Sequence, residues 1–301
     1  MDTTINYAQK YAKELANAYP HVLYFGRLWS NENAAKYRFV DAKTIQIPTL
    51  KVGGRGNGNR DTIGAFSRNY SNNWETKTLK NHRNWQTLVH PKDIDETNQV
   101  LSISNITKVF NETQKFPEMD AYTVSELFKL KNVKEEAVEE EVTCINALDI
   151  FDRLMDEMDE ARVPVAGRVL YVDTFTKTIL DNAKETMRFN GETNIRRAVT
   201  RIDEVEIIPV PTSLMKTAYD FTEEGFAVNG EAKDIAMILL HPSVILPVVS
   251  YDFAQLQAPS ALTQGKYVYF EESFEDIFIL NERHDAIKFV VKKATGKAKT
   301  K

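Results

Sequence analysis

Hydrophobic residues recur at helical spacing in the first stretch of the chain, where Ile5, Ala8, Tyr11, Leu15 and Ala18 predict a helix over Thr3–Ala18. An aromatic segment, HVLYFGRLW, follows and reads as extended. TIQIPTLKV at Thr44–Val52 predicts a strand, and Pro48 inside it points to an edge position, because proline donates nothing to a ladder. WETKTL at Trp74–Leu79 predicts its partner, so the two form a long hairpin with a polar, glycine-rich tip.

Further on, HPKDIDET signals a helix start. Pro91 suits the first turn, and Asp93, Asp95 and Glu96 favour the positive end of the helix dipole. Ile94, Leu101, Ile106, Val109 and Phe110 carry that helix from about Asp93 to Glu112, and Pro117 is expected to end or interrupt it. A second helix over about Ala121–Leu130 continues the run. Ile145, Leu148, Phe151, Met155 and Met158 then line one face of a helix ending near Ala161. RVLYV at Arg168–Val172 reads as a buried strand, followed by a helix capped by Asp173 or Thr174. VEIIPV, IAMILL, YVYFEES, FIL and AIKFVV supply further strands. No internal repeat is visible, and the class is mixed α+β.

Composition narrows the function classes. The 301 residues suffice for one large domain or two moderate ones, and 43% hydrophobic with 27% charged residues is ordinary for a globular protein. No run reaches the roughly 18 apolar residues of a membrane-spanning helix, and the first twenty residues lack the apolar core of a signal peptide. Cys144 is the only cysteine, so internal disulfides and multi-thiolate zinc cages are excluded. It reads as a small buried hydrophobe in a chain suited to a reducing interior. The net charge of -5 opposes a main role in gripping nucleic acid.

Charge is also uneven along the chain. The hairpin segment holds Arg55, Arg60, Arg68, Lys77 and Lys80 against Asp61 and Glu75, whereas 135–160 carries Glu136, Glu139, Glu140, Glu141 and five further acids up to Asp159.

The glycine-rich tip, KVGGRGNGNRDTIGAF, invites a phosphate-binding reading, which its spacing defeats. In a GxGxxG fingerprint Gly54 and Gly56 are followed by Asn59 where the third glycine belongs. Gly53 and Gly58 have the first spacing of a P-loop, but Asn59 and Arg60 stand where Lys and Ser or Thr are needed. The five histidines form no HExxH or tight pair, and no GxSxG is present. Asp285 beside His284 reads as a solvated or structural pair. No catalytic, cofactor-binding or metal-binding residue is therefore assigned, and no cofactor is expected.

What remains is the hairpin itself. Ordering a residue's backbone costs roughly 1–2 kcal/mol, and Lys51–Asn73 offers only Val52, Ile63, Ala65, Phe66 and Tyr70 as apolar compensation. Such a hairpin is ordered by docking on something else, and another copy of the chain is one candidate. The sites expected at that contact are Arg55, Arg60 and Arg68 on one side and Glu136, Glu139 and Glu140 on the other.

Over Trp74–Leu127 the order of residues resembles the major capsid proteins of tailed bacteriophages. The matching features are Trp74, then Arg83 and Trp85, then Asp93, Asp95, Glu96 and Thr97, then Pro117, Glu118, Asp120, Ala121 and Tyr122. The later pattern of amphipathic helix, RVLYVD, helix and VEIIPVP resembles the axial domain of the Hong Kong 97 type capsid fold, with AIKFVV similar to a closing strand of its peripheral domain. The resemblance implies an N-terminal arm at 1–43 and an extended loop at 44–89. It further implies a spine helix with peripheral domain at 90–142, an axial domain at 143–247, peripheral return strands at 248–294, and a basic tail at 295–301.

Its implied role is a structural shell protein that self-assembles as pentamers and hexamers into an icosahedral virion around double-stranded DNA, assembled in the host cytoplasm. Other copies of itself would be its partners, with the DNA held by enclosure and no membrane involved. Too little chain precedes the loop for a built-in scaffolding segment, so a separate scaffolding protein and a portal protein are expected. Two rivals remain: a nanocompartment shell of the same fold, and a cytoplasmic α+β enzyme whose site forms only in three dimensions.

Overall fold

The computed structural model describes residues 21–31, 33, 37–41, 43–55, 68–96, 102–132, 137–187, 201–202, 204–222, 225–280 and 283–293. The expected helix at Thr3–Ala18, the hairpin tip with Arg60, the acidic residue Glu136 and the basic tail lie outside them.

A six-stranded sheet holds the main core. Its strands are β5 (Val138–Glu140), β6 (Val169–Asp173), β7 (Arg201–Ile202), β8 (Val205–Val210), β11 (Ile235–Leu240) and β14 (Ile287–Lys292), in the order β5-β14-β11-β6-β8-β7. β6 and β11 are buried at every position, as expected of strands covered on both faces. Tyr171, Ile238 and Phe289 lie side by side across β6, β11 and β14 and so share one face. Phe25 stacks on Tyr171 at 4.4 Å and Phe128 meets Phe289 edge-on at 5.3 Å. These rings come from α1 (Gly26–Trp29), of which Phe25 is the N-cap, and α4 (Phe116–Asn132). The helices α5 (Ala147–Glu160) and α6 (Thr174–Met187) pack on each other, and α6 packs on β6 and β8. Asp173 does two jobs where β6 passes into α6. One carboxylate oxygen accepts from the Thr176 amide at 3.1 Å, capping the helix, and the other pairs with Lys292 at 2.5 Å.

AIKFVV, expected among the return strands at 248–294, forms β14. β14 runs antiparallel to β11 and parallel to β5, inside the sheet of RVLYV and IAMILL. Its residues at Ile287, Phe289, Val290 and Val291 are buried, and only a central sheet position covers so apolar a strand.

A second sheet is built from β4 (His82–Val89), β12 (Ile245–Gln257) and β13 (Tyr267–Ile279), with β13 in the middle. Beneath it a smaller core gathers Leu246, Val248, Phe274, Phe278 and Leu280 with Ile45, Ile47 and Leu79. Ile45 and Ile47 belong to a third sheet, β1 (Arg38–Asp41), β2 (Thr44–Val52) and β3 (Tyr70–Thr78), in that order, and Leu79 directly follows β3. β1 pairs only with Thr44–Gln46, so on that side Pro48 faces no strand; on the other it sits opposite Trp74. The edge position read from Pro48 thus holds locally, within a strand that is central at its start. The remaining pair, β9 (Tyr219–Thr222) and β10 (Gly225–Val228), is a short hairpin.

The helical run divides differently from expectation. α2 (Pro91–Glu96) starts at Pro91, α3 (Ile103–Phe110) follows, and a π-helical turn at Asn111–Lys115 leads without a break into α4. Pro117 therefore ends nothing. Its missing N–H and bulky ring are taken up at the wider π-turn, where the normal i to i−4 pattern is already relaxed. HVLYFGRLW is not extended, since Gly26–Trp29 forms one helical turn.

Cys144 is exposed, not buried, and Ile145 is 91% exposed. Both sit in a turn closed by Thr143 and Asn146, whose side-chain oxygen accepts from the Thr143 amide at 2.7 Å. The buried face of α5 is accordingly Ala147, Ile150, Phe151, Leu154 and Met158, rotated from the one expected, with Leu148 and Met155 at its margin.

Candidate assembly surfaces

The β2–β3 hairpin carries the basic side of the expected contact. Ile45 and Ile47 anchor its base, but beyond them the burial pattern turns outward. Leu50, Val52 and Tyr70 are 67%, 71% and 56% exposed. Pairing runs without interruption from Thr44 opposite Thr78 to Val52 opposite Tyr70, and the Gly53 amide still donates to Asn69 O at 2.8 Å. The outer half is thus a two-stranded ribbon with little core beneath it, an arrangement of marginal stability in water. Arg55 and Arg68 end the ribbon and are exposed. The Arg68 guanidinium lies 5.5 Å from the Tyr70 ring, while Arg38 on β1 covers Trp74 at 3.7 Å. Of the tip glycines, Gly53 and Gly54 are described, and space around Gly54 is open.

Glu139 and Glu140 lie on β5, at an edge of the six-stranded sheet. There Glu139 pairs with Lys233, and Glu140 with Arg153 at 2.6 Å. Among the described residues no ion pair joins Arg55 or Arg68 to these acids within the chain. Of the expected site residues, Arg55 and Arg68 therefore lie on one surface of the subunit and Glu139 and Glu140 on another, where these two acids are already engaged by bases of their own chain.

The long helical run is fastened to the second sheet by polar and aromatic contacts. β4 alternates half-buried and exposed residues, which turns Arg83 and Trp85 to the same side. Arg83 grips Glu118 on α4 through two contacts, 2.5 Å from Nε and 3.2 Å from Nη2. Trp85 stacks on Phe110 of α3, with centroids 3.9 Å apart and planes 7° from parallel. Lys115, in the π-turn, reaches Glu271 on β13 at 3.2 Å. Tyr122 donates to Asp276 at 2.8 Å, and the Lys80 amide donates to the other oxygen of Asp276 at 2.9 Å. On the far side of α4, Asp120 accepts from the amides of Tyr24 and Phe25 at 3.1 and 3.0 Å and contacts the His21 ring at 2.8 Å.

Burial dominates the electrostatics of this joint. Glu275 and Asp276 both have their pKa raised, Glu275 by desolvation reinforced by Glu118 and Asp252 and opposed by Lys115. The Asp276 shift is again one of desolvation, restrained by the Lys80 and Ile277 amides and the Tyr122 hydroxyl. Asp120 is raised for the same reason, against the pull of His21. The Tyr269 hydroxyl, donating to Glu271 at 2.8 Å, is pushed up to about 12 by burial and that carboxylate. Sequence reading missed β4 and the acids of β13. The alternation in HRNWQTLV was a usable signal for the strand; carboxylates inside an apolar strand gave none for what they face.

Among the described residues no cluster of three His, Cys, Asp or Glu is placed to hold a metal ion, and no helix is long and apolar enough to cross a membrane.

No protein-family model matches the sequence, and no curated protein matches it either. Solved structures do match. A structure described as the capsid of the cyanophage P-SCSP1u superposes with a TM-score of 0.63 at 10% identity, over 95% of this chain and 92% of that one. The mature capsid of bacteriophage PhiM1 gives 0.59 at 14% identity, covering 84% and 82%. A structure from Mycobacterium phage Che8 gives 0.59 at 12% identity, covering 96% and 98%. At such identities the likeness is one of fold: the chain has the α+β capsid fold of tailed bacteriophages, the Hong Kong 97 type.

Proposed function

We propose that this chain, having the capsid fold, is a major capsid protein that closes many copies of itself into the icosahedral head of a tailed phage. The supporting observation is the nearly end-to-end likeness to phage capsid structures, over more than nine-tenths of both chains in the cyanophage case. The role is structural, not catalytic. Pentamers and hexamers enclose double-stranded DNA, a scaffolding protein and a portal protein take part in assembly, and assembly takes place in the host cytoplasm before the protein becomes part of the virion. A net charge of -5 suits a wall that encloses DNA without gripping its phosphates.

In this reading the β2–β3 hairpin is the extended loop. The joint of α3, the π-turn and α4 on β4, β12 and β13 is the peripheral domain. The axial domain comprises the six-stranded sheet with α5 and α6, and β14 belongs to it by pairing.

The hairpin lies across an adjacent subunit, where Arg55, Arg60 and Arg68 meet acidic surface that includes Glu136, Glu139 and Glu140. Since Lys233 and Arg153 already hold two of those acids, the contact is a shared network. Each exposed pair contributes only about 0–1 kcal/mol, so the effect comes from repetition around the shell. Sedimentation of purified protein, expressed with a scaffold candidate, tests the reading. Large uniform particles containing nuclease-protected DNA after packaging support it; a stable monomer under all conditions, or shells filled with a protein cargo, would overturn it.

A further inference from the structure

A groove of about 690 Å³ follows one side of α3, with Leu256 and Tyr269 of the β12–β13 hairpin as its other wall. Ile103, Thr107, Asn111 and Phe116 line it from the helical run. Two observations mark it as incomplete. α3 carries Ile103, Ile106, Val109 and Phe110, yet none of its residues is fully buried, and Leu256 across the groove is 53% exposed. The buried Thr107 Oγ1 and Asn111 Oδ1 atoms have no hydrogen-bond partner among the described residues, a condition that folded proteins largely avoid.

The groove also leads to a fixed point of the chain. The Asn111 amide donates to Thr107 O, and across the π-turn the Phe116 amide donates to Asn111 O, so Thr107, Asn111 and Phe116 stand one above another. Asp120 continues that stripe one α-helical turn beyond Phe116, and it holds the His21 ring at 2.8 Å. The chain before His21 therefore joins the fold at one end of the stripe that lines the groove. From Ile103 to Asp120 the run is about 26 Å long at 1.5 Å per residue. A helix over Thr3–Ala18, as the sequence pattern expects, is about 24 Å long on the same rise, and it presents Ile5, Ala8, Tyr11, Leu15 and Ala18 on one side. Tyr19 and Pro20 are enough to link it to His21.

We propose that Thr3–Ala18 lies as a helix in this groove of its own chain, parallel to α3 and α4. Leu15 then meets Phe116 and Leu256, and Ala8 lies near Lys108. The Tyr11 hydroxyl sits between the two orphaned atoms, accepting from the Thr107 hydroxyl and donating to Asn111 Oδ1. An amphipathic helix in an apolar groove is a general recognition mode, and here the occupant is selected by where its own chain is tethered. This site is independent of whether the subunits form a phage head.

Cross-linking of the full chain tests the proposal. In a Cys144→Ser background, Ala8→Cys and Lys108→Cys, the latter at a side chain 72% exposed, are treated with a short bismaleimide in dilute solution and mapped by mass spectrometry. A link within one chain is expected. Links between chains would assign the groove to a second copy, and absence of any link would place the segment elsewhere; either result overturns the proposal. Hydrogen exchange gives an independent readout. Leu256→Asp, at an exposed position, is expected to lower the protection of the 3–18 amides roughly tenfold, and Tyr11→Phe, which removes only the hydroxyl, about threefold. Protection unchanged in both variants would likewise overturn it.

Discussion

Asp120 is fully buried in α4, yet it organises a segment nearly a hundred positions away, taking hydrogen bonds from the Tyr24 and Phe25 amides and contacting His21. Removing the carboxylate leaves those donors unmatched, at about 1–3 kcal/mol for each buried group. Asp120→Ala is therefore expected to lower unfolding stability by about 2–4 kcal/mol, read as a fall in the urea midpoint. Glu275 acts in the opposite sense. Its pKa is raised in the folded protein, so the folded state holds a proton that the unfolded state releases first. Stability linked to this group is complete below the ordinary carboxylate pKa and is lost as pH rises toward the folded value. Glu275→Gln should thus melt at a higher temperature than the parent at pH 7, with the gap narrowing toward pH 4; a gap that widens on acidification would contradict this. Little of this residue-scale chemistry was legible in the sequence. PEMDAY offered Asp120 as part of a resemblance, but nothing local says that its partners are amides before α1. Arg168 was read as the first residue of a strand, whereas its buried guanidinium donates to Pro164 O and Val163 O at 3.0 and 2.6 Å and pairs with Asp159. Such partners are set by tertiary packing.

Elements were read more securely where periodicity was strong. β2, β6, β8 and β11 fall where apolar alternation or continuous apolar runs place them, because a buried strand needs little beyond its own side chains to be recognised. The α5 face was rotated because Ile145 was counted into a helix that begins only at Ala147; the turn that Asn146 closes onto Thr143 and Glu141 holds Ile145 outside the helix. Pro117 marks an interruption rather than an end, since the α-helical pattern gives way to a π-turn just before it and resumes as α4. At this scale the hairpin gives the clearest prediction. Arg55 and Arg68 are exposed, so reversing them together with Arg60 to Glu should leave the isolated subunit's stability within about 0.5 kcal/mol. Shell yield should fall, most at low salt where charge contacts are least screened. Equal yields for parent and variant across a salt series would remove the electrostatic part of the account.

At the scale of the whole molecule, strand order is the part a one-dimensional pattern conceals. β14 slots between β5 and β11, and β4 leaves the hairpin segment to pair with β13. Both pairings join chain segments far apart in sequence, and their register is set by which faces must be buried together. The α+β class and the capsid resemblance were nonetheless readable, since the ordered features from Trp74 to Tyr122 mark contacts that the fold uses: Arg83 to Glu118, and Tyr122 to Asp276. The three-dimensional likeness to phage capsids extends that reading over nearly the entire chain.

The central claim is that this fold is a shell subunit whose basic hairpin is ordered by its neighbour. Cryo-electron microscopy of particles assembled from the purified protein with a scaffold candidate tests it most directly. The account predicts a closed icosahedral shell of pentamers and hexamers, with the β2–β3 ribbon lying on the adjacent subunit and Arg55 and Arg68 within reach of its acids. Isolated monomers, or a closed shell in which the ribbon folds back on its own subunit, would contradict it.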